Sequence, residues 1–193
     1  MNQSKNGSLF QRLFGSKQQE PDGAVETRTP PSHLAAYAGP LQAGMESPAV
    51  INTGFDAFGM RCGCGSEVFF VSGQPGYDGC DDVQDKIRMT CGGCHTEIPV
   101  FYSDRHGYDG KLGYNGELGE HPLDITLACP ACGQGRFWVA LGFEQDDDKE
   151  DLLDIISSEN VEAKPEDLFT WMVGVARCEA CGKELQFADI ECA

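Results

Sequence analysis

Residues 129–141 read Cys-Pro-Ala-Cys-Gly-Gln-Gly-Arg-Phe-Trp-Val-Ala-Leu: two cysteines one turn apart, a glycine, then an apolar run with the aromatic and β-branched character of a strand. Similar cysteine steps occur at Cys62-Gly63-Cys64, Cys91-Gly92-Gly93-Cys94 and Cys178-Glu179-Ala180-Cys181. Two cysteines separated by one or two residues aim both sulfurs at one point, and two such steps complete a tetrahedral set of four thiolates, the donor set of zinc. Cys62, Cys64, Cys91 and Cys94 make one set, and Cys129, Cys132, Cys178 and Cys181 the other, using eight of the ten cysteines. Two zinc ions are therefore the expected cofactors.

Working outward, the chain is duplicated. Cys64-Gly-Ser-Glu-Val-Phe-Phe-Val lies on Cys132-Gly-Gln-Gly-Arg-Phe-Trp-Val, and Cys91-Gly-Gly-Cys-His-Thr-Glu-Ile lies on Cys178-Glu-Ala-Cys-Gly-Lys-Glu-Leu, with Val100 opposite Phe187. In each unit an extended segment leads into the first cysteine step. A β-rich run follows it (Val68 to Val71, Phe137 to Leu141), a second run enters the second step (Ile87 to Thr90, Trp171 to Ala176), and a third leaves it (Ile98 to Tyr102, Leu185 to Ile190). Gly65, Gly133 and Gly182 follow the second cysteine of their steps, where a left-handed backbone brings amide hydrogens towards sulfur.

Over residues 55–190 these steps and runs resemble the zinc-ribbon superfamily, in which two knuckles on β-hairpins hold one metal. The resemblance implies a mainly β fold with a minor helix, built as two tandem zinc-ribbon-like modules of antiparallel hairpins. The expected boundaries are a flexible tail and linker over 1–50, module one over 51–122 and module two over 123–193. The inserts differ: 26 residues (65–90) separate the steps of module one and 45 (133–177) those of module two. Most of the surplus is an acidic and helical insert, 144–168. Glu144 to Asp151 holds six carboxylates, and Leu152, Leu153, Ile155 and Ile156 then recur at helical spacing before Pro165.

Charge narrows the function. The net charge is −17, with only 14 Lys and Arg in 193 residues, and four-thiolate zinc centres add negative charge. Such a field repels phosphate backbones, so direct nucleic-acid binding is disfavoured and a basic protein is the expected partner. Met1 to Pro21 lacks the apolar core of a secretory signal, and no run reaches membrane-spanning length, so a reducing cytoplasm is expected and zinc is preferred over a disulfide framework. Leu9-Phe10-Gln11-Arg12-Leu13-Phe14 offers at most a peripheral membrane contact, and Pro21, Pro30, Pro31, Pro40 and Pro48 mark a linker.

The expected function is non-enzymatic: a zinc protein that binds another protein, as an adaptor or as an acidic inhibitor of the immunity-protein type. The alternatives are a zinc-ribbon accessory factor in transcription or nucleic-acid processing, and a rubredoxin-like iron carrier, which uses the same knuckles. Cys91-Gly-Gly-Cys-His95 spells a haem attachment pattern, but its counterpart in the second unit ends in Gly182. In module one, Cys80, His95 or His106 are alternative ligands because the first step is CxC. Tyr77, Tyr108 and Tyr114, on Gly-Tyr-Asp/Asn-Gly turns, and Asp146, Asp147 and Asp148 are the candidate partner-binding residues. Asp104, His106, Asp109 and His121 form a weaker candidate hydrolytic group, with no nucleophile motif beside it.

Overall fold

The computed structural model describes residues 29–41, 45, 55–75, 83–112, 125–145 and 149–192. Among the described residues nine strands form one sheet: β1 (Ala38–Gly39), β2 (Asp56–Met60), β3 (Val68–Pro75), β4 (Val83–Cys91), β5 (Glu97–Tyr102), β6 (Ile125–Thr126), β7 (Phe137–Gln145), β8 (Phe169–Cys178) and β9 (Glu184–Glu191). Helix α1 (Gly107–Leu112) follows β5, helix α2 (Lys149–Glu159) follows β7, and a 3-10 turn (Pro165–Asp167) leads into β8. Every strand pair is antiparallel. The mainly β expectation holds.

The duplication is written into the strand register. Phe69 stands opposite Cys91 in the β3–β4 pair, and Phe137 opposite Cys178 in β7–β8. Thr90 faces Glu97, and Arg177 faces Glu184. The irregularity also repeats: β5 carries one extra residue between Pro99 and Phe101, and β9 one between Gln186 and Ala188. Those two bulge residues are Val100 and Phe187, both buried. A bulge kept at the same place in both copies re-aims the strand as it leaves the cysteine knuckle.

Packing at the bulge is balanced differently in the two copies. Ile87 and Val100 fill the first core, while in the second the equivalent positions are Gly174 and Phe187. A Cβ placed on Gly174 would lie 2.5 Å from Phe187 Cζ, so the phenyl ring occupies the space that a side chain at 174 would need.

The two units are interlocked. Strands β2 and β3 follow each other along the edge of β7 that β8 leaves open, and β6 and β7 follow each other along the free edge of β3. Each is in effect one long strand from which a cysteine knuckle bulges. The inward faces, Phe69, Val71, Ile87 and Met89 from one unit and Phe137, Val139, Leu141 and Phe187 from the other, belong to one hydrophobic core. Along β7 even Ala140 is fully buried, because the opposite face is also covered near Val173 and Val175, against which Phe55, Ala57 and Trp171 pack.

Part of the proline-rich stretch read as linker is built into the fold. Residues 31–37 turn tightly, and β1 then pairs with β2. Leu34 and Met45 are almost fully buried. Ser32 N–H donates to Asp167 Oδ1 at 2.7 Å, and His33 Nε2 donates to Val100 O at 2.9 Å. These contacts link residues far apart in sequence, so local composition carries no sign of them. Residues 107–112, read as turns, form a short helix instead. Asp109 lies in its first turn and Lys111 in its last, and Asp109 N–H donates to Cys192 O.

Candidate metal centres

Four knuckles are built alike. In each, the first cysteine closes a turn on the residue just after the second cysteine: Gly65 N–H donates to Cys62 O, His95 to Cys91 O, Gly133 to Cys129 O and Gly182 to Cys178 O, at 2.8–3.0 Å. Those four residues have positive φ values of 90°, 62°, 74° and 72°. Three are glycines, as the sequence led one to expect, and the fourth is His95, which reaches the same geometry without glycine's freedom. A second bond ties each loop: Cys62 N–H to Ser66 O, Cys91 to Thr96 O, Cys129 to Gln134 O and Cys178 to Lys183 O.

The knuckles converge in pairs. Cys62, Cys64, Cys91 and Cys94 bring their Sγ atoms within 4.8 Å of one another, and so do Cys129, Cys132, Cys178 and Cys181. The closest cross-knuckle approaches are 3.5 Å (Cys62–Cys94), 3.6 Å (Cys64–Cys91), 3.5 Å (Cys129–Cys181) and 3.5 Å (Cys132–Cys178). A disulfide needs about 2.0 Å between sulfurs, whereas metal–sulfur bonds of about 2.3 Å in a tetrahedron place the sulfurs roughly 3.8 Å apart. Each set can hold one metal ion. One cysteine of each knuckle is a buried residue (Cys62, Cys91, Cys129, Cys178) and one is exposed.

Proton affinities are split within each set. Burial opposes ionisation of Cys91, but the amides of Cys94 and Gly93 and the neighbouring thiols outweigh it and hold the group down to about 6. Gly93 N–H lies 3.3 Å from its sulfur. Burial likewise opposes ionisation of Cys129, yet the amides of Ala131 and Cys132 and the thiols of Cys181 and Cys132 bring it to about 7. Cys62 goes the other way: the Cys64 amide favours its thiolate, but burial and the sulfurs of Cys94, Cys91 and Cys64 push it up to about 12. Cys132 is also pushed up to about 12, the Gln134 amide being outweighed by burial and three sulfurs. One thiolate in such a set suppresses the others; a divalent cation at its centre lets all four ionise.

The alternative ligands fare differently. His106 stacks flat on His33, with ring centroids 3.9 Å apart and planes 2° from parallel, and its Nδ1 accepts from Tyr102 N–H at 2.9 Å. Burial, then the charges of His33, Lys111 and Arg105, push it down to about 3 against a smaller opposing effect of Asp167. It is a neutral packing group and joins neither cysteine set. His95 occupies its knuckle's left-handed position, and the four cysteines of its set converge without it. Cys192 is buried, and burial followed by Asp109 and Glu191 pushes its thiol up to about 12. Asp104 pairs with Arg105 at 3.7 Å. Among the described residues, the groups able to hold a metal are the two cysteine sets.

Of the candidate partner-binding residues, Tyr108 is half-buried on α1. Tyr77, Tyr114, Asp146, Asp147 and Asp148 lie outside the described residues, as do Cys80 and His121. The helical spacing put Leu153 in an apolar face expected to pack on the sheet, but the structure leaves this large hydrophobic side chain 54% exposed on α2. Its neighbour Leu152 is buried, and Ile155 and Ile156 are half-buried, so the apolar stripe extends beyond what the fold covers. The run of four aliphatic residues in five positions was the available signal. No described helix is long and apolar enough to cross a membrane. Compared with known protein families, curated proteins and solved structures, the chain matches none.

Proposed function

We propose that this chain is a zinc-stapled binding protein: two zinc-ribbon-type centres hold a sheet whose acidic surface engages a basic partner protein, as an adaptor or an inhibitor of the immunity type. Cys62, Cys64, Cys91 and Cys94 hold one ion, and Cys129, Cys132, Cys178 and Cys181 the other. Four protein sulfurs complete a tetrahedral shell and leave no position for a substrate, so zinc here serves the fold.

Leu153 carries the binding reading. It sits on an insert that the first unit does without, since β3 and β4 are separated by residues 76–82 and β7 and β8 by residues 146–168. Glu150, Asp151 and Asp154 are exposed around it. An apolar anchor ringed by carboxylates complements an apolar groove rimmed by Lys and Arg, the helix-in-groove mode. The test is native mass spectrometry of the full chain from its own host, with Leu153→Asp alongside. A stoichiometric basic protein that dissociates as salt rises and is lost with Leu153→Asp supports the reading. A partner indifferent to both, or retardation of nucleic acid at low salt, counts against it.

A further inference from the structure

The duplicated fold has two outer strands at equivalent places, β5 in the first unit and β9 in the second. Among the described residues β5 pairs with β4 alone and β9 with β8 alone. An outer strand offers unpaired N–H and C=O groups to other chains, and proteins protect such edges with proline or by covering them. The first edge is protected in both ways. Pro99, opposite Arg88, has no N–H, and a sheet accommodates proline where that position faces away from the neighbouring strand, so a donor is missing from the outer side of β5. Beside it, His33 Nε2 donates to Val100 O at 2.9 Å, which occupies the carbonyl of the bulge with the chain's own N-terminal turn.

The second edge has neither device. The register places Gln186, opposite Val175, where β5 has Pro99, and Phe187 where β5 has Val100, and Gln186 keeps its backbone donor. The nearest cap lies just past the end of β9, where Asp109 N–H donates to Cys192 O at 2.9 Å. Among the described residues, Glu184 to Ile190 is therefore an open edge.

Side chains on this edge select its occupant. Strand β9 carries Glu184, Asp189 and Glu191 and no Lys or Arg, whereas β5 carries the single carboxylate of Glu97. Asp189 is held in place, its Oδ1 accepting from Trp171 Nε1 at 2.7 Å and its Oδ2 from Gln186 Nε2 at 2.8 Å. Like charges facing each other across a strand pair are destabilising, so a second copy of this acidic strand is disfavoured and a strand bearing Lys or Arg is favoured.

We propose that β9 is a docking edge, to which an extended, Lys- or Arg-rich segment of a partner protein adds as a further strand. Its backbone bonds that of β9 around Gln186, and its cationic side chains lie along Glu184, Asp189 and Glu191. This rests on the reading that the chain binds a basic protein, and it is a contact separate from the one assigned to Leu153.

The probe is a fluorescein-labelled peptide of alternating Lys and Val, matched in length to β9 and titrated into the full chain, with amide hydrogen exchange of the chain followed with and without it. Binding that weakens as salt rises and slowed exchange centred on Gln186 are expected. Two changes each weaken binding by about tenfold or more: N-methylation of the peptide's backbone amides, which keeps its charge and leaves the protein untouched, and Gln186→Pro, which gives β9 the proline of β5. If Gln186→Pro does not fold, the N-methylated peptide decides. No binding, equal binding of the N-methylated peptide, or slowed exchange on α2 instead of β9 overturns the proposal. A basic host protein that still copurifies with the chain when the peptide fails to bind overturns the β9 edge and leaves the basic-partner reading standing.

Discussion

Phe69 on β3 stands directly opposite Phe137 on β7, and neither ring is exposed. The two occupy the same position in their units, so the pair marks a local twofold relation. On either side of it each unit's lead strand lies along the other unit's β-strand. The two cysteine sets are thus parts of one folding unit. Removing either ring opens a cavity in the shared core, and Phe→Ala changes of this kind cost about 3–5 kcal/mol. Urea unfolding of Phe137→Ala, followed by tryptophan fluorescence and by zinc release, is expected to show one transition shifted to lower urea. Two separate transitions would contradict the interlock.

Phe187 lying over Gly174 gives a second test. Gly174→Ala forces a methyl to within 2.5 Å of Phe187 Cζ, and overpacking of this kind costs about 1–3 kcal/mol. Reducing the ring restores room: Gly174→Ala with Phe187→Val approaches the first unit's arrangement, where Ile87 fills the strand position and the smaller Val100 the bulge. The double variant should be less destabilised than the sum of the singles, a coupling measurable by a double-mutant cycle. Additive effects would mean that the ring does not occupy that space.

Much of this was legible in the sequence. The four cysteine steps, the positive-φ glycines after three of them and the repeated Phe-x-Val and Glu-Ile/Glu-Leu runs located both centres and the six strands of the duplicated units. Local patterns report local geometry, and the knuckles are local. The interlock was not legible, because pairing Phe69 with Phe137 rather than closing each unit on itself is a choice among long-range partners that the alternation of either strand satisfies equally. The docking of residues 30–41 was hidden for the same reason: its bonds from Ser32 to Asp167 and from His33 to Val100 join distant positions, while the prolines gave a linker signature.

The stacked His33 and His106 give a pH prediction. Burial lowers both groups, and His106 falls to about 3 from 6.5. Below pH 6.5 the unfolded chain takes up a proton that the folded chain refuses. Their contribution is therefore complete above about pH 6.5 and declines as pH falls towards 3, at a limit of about 1.4 kcal/mol per pH unit for each proton. Asp167, Lys111 and Arg105 are the charged groups acting on the pair. His106→Gln should be less stable at pH 7 yet lose stability less steeply between pH 6.5 and 5. An unchanged slope would mean that the imidazole titrates freely in the fold.

Leu153→Asp should leave the midpoint of urea unfolding almost unchanged, within about 0.5 kcal/mol, because the side chain is already exposed. The variant separates surface from core: a large loss of stability would place Leu153 in the fold rather than in a binding surface.

The central claim, two four-thiolate zinc centres holding one interlocked sheet, is tested most directly by native mass spectrometry of the full chain purified without chelator, beside Cys178→Ser. The account predicts two zinc ions per wild-type chain and loss of the second-unit ion, with loosening of the shared fold, in the variant. A chain carrying iron or no metal, or a Cys178→Ser protein that stays folded with both ions, would contradict it.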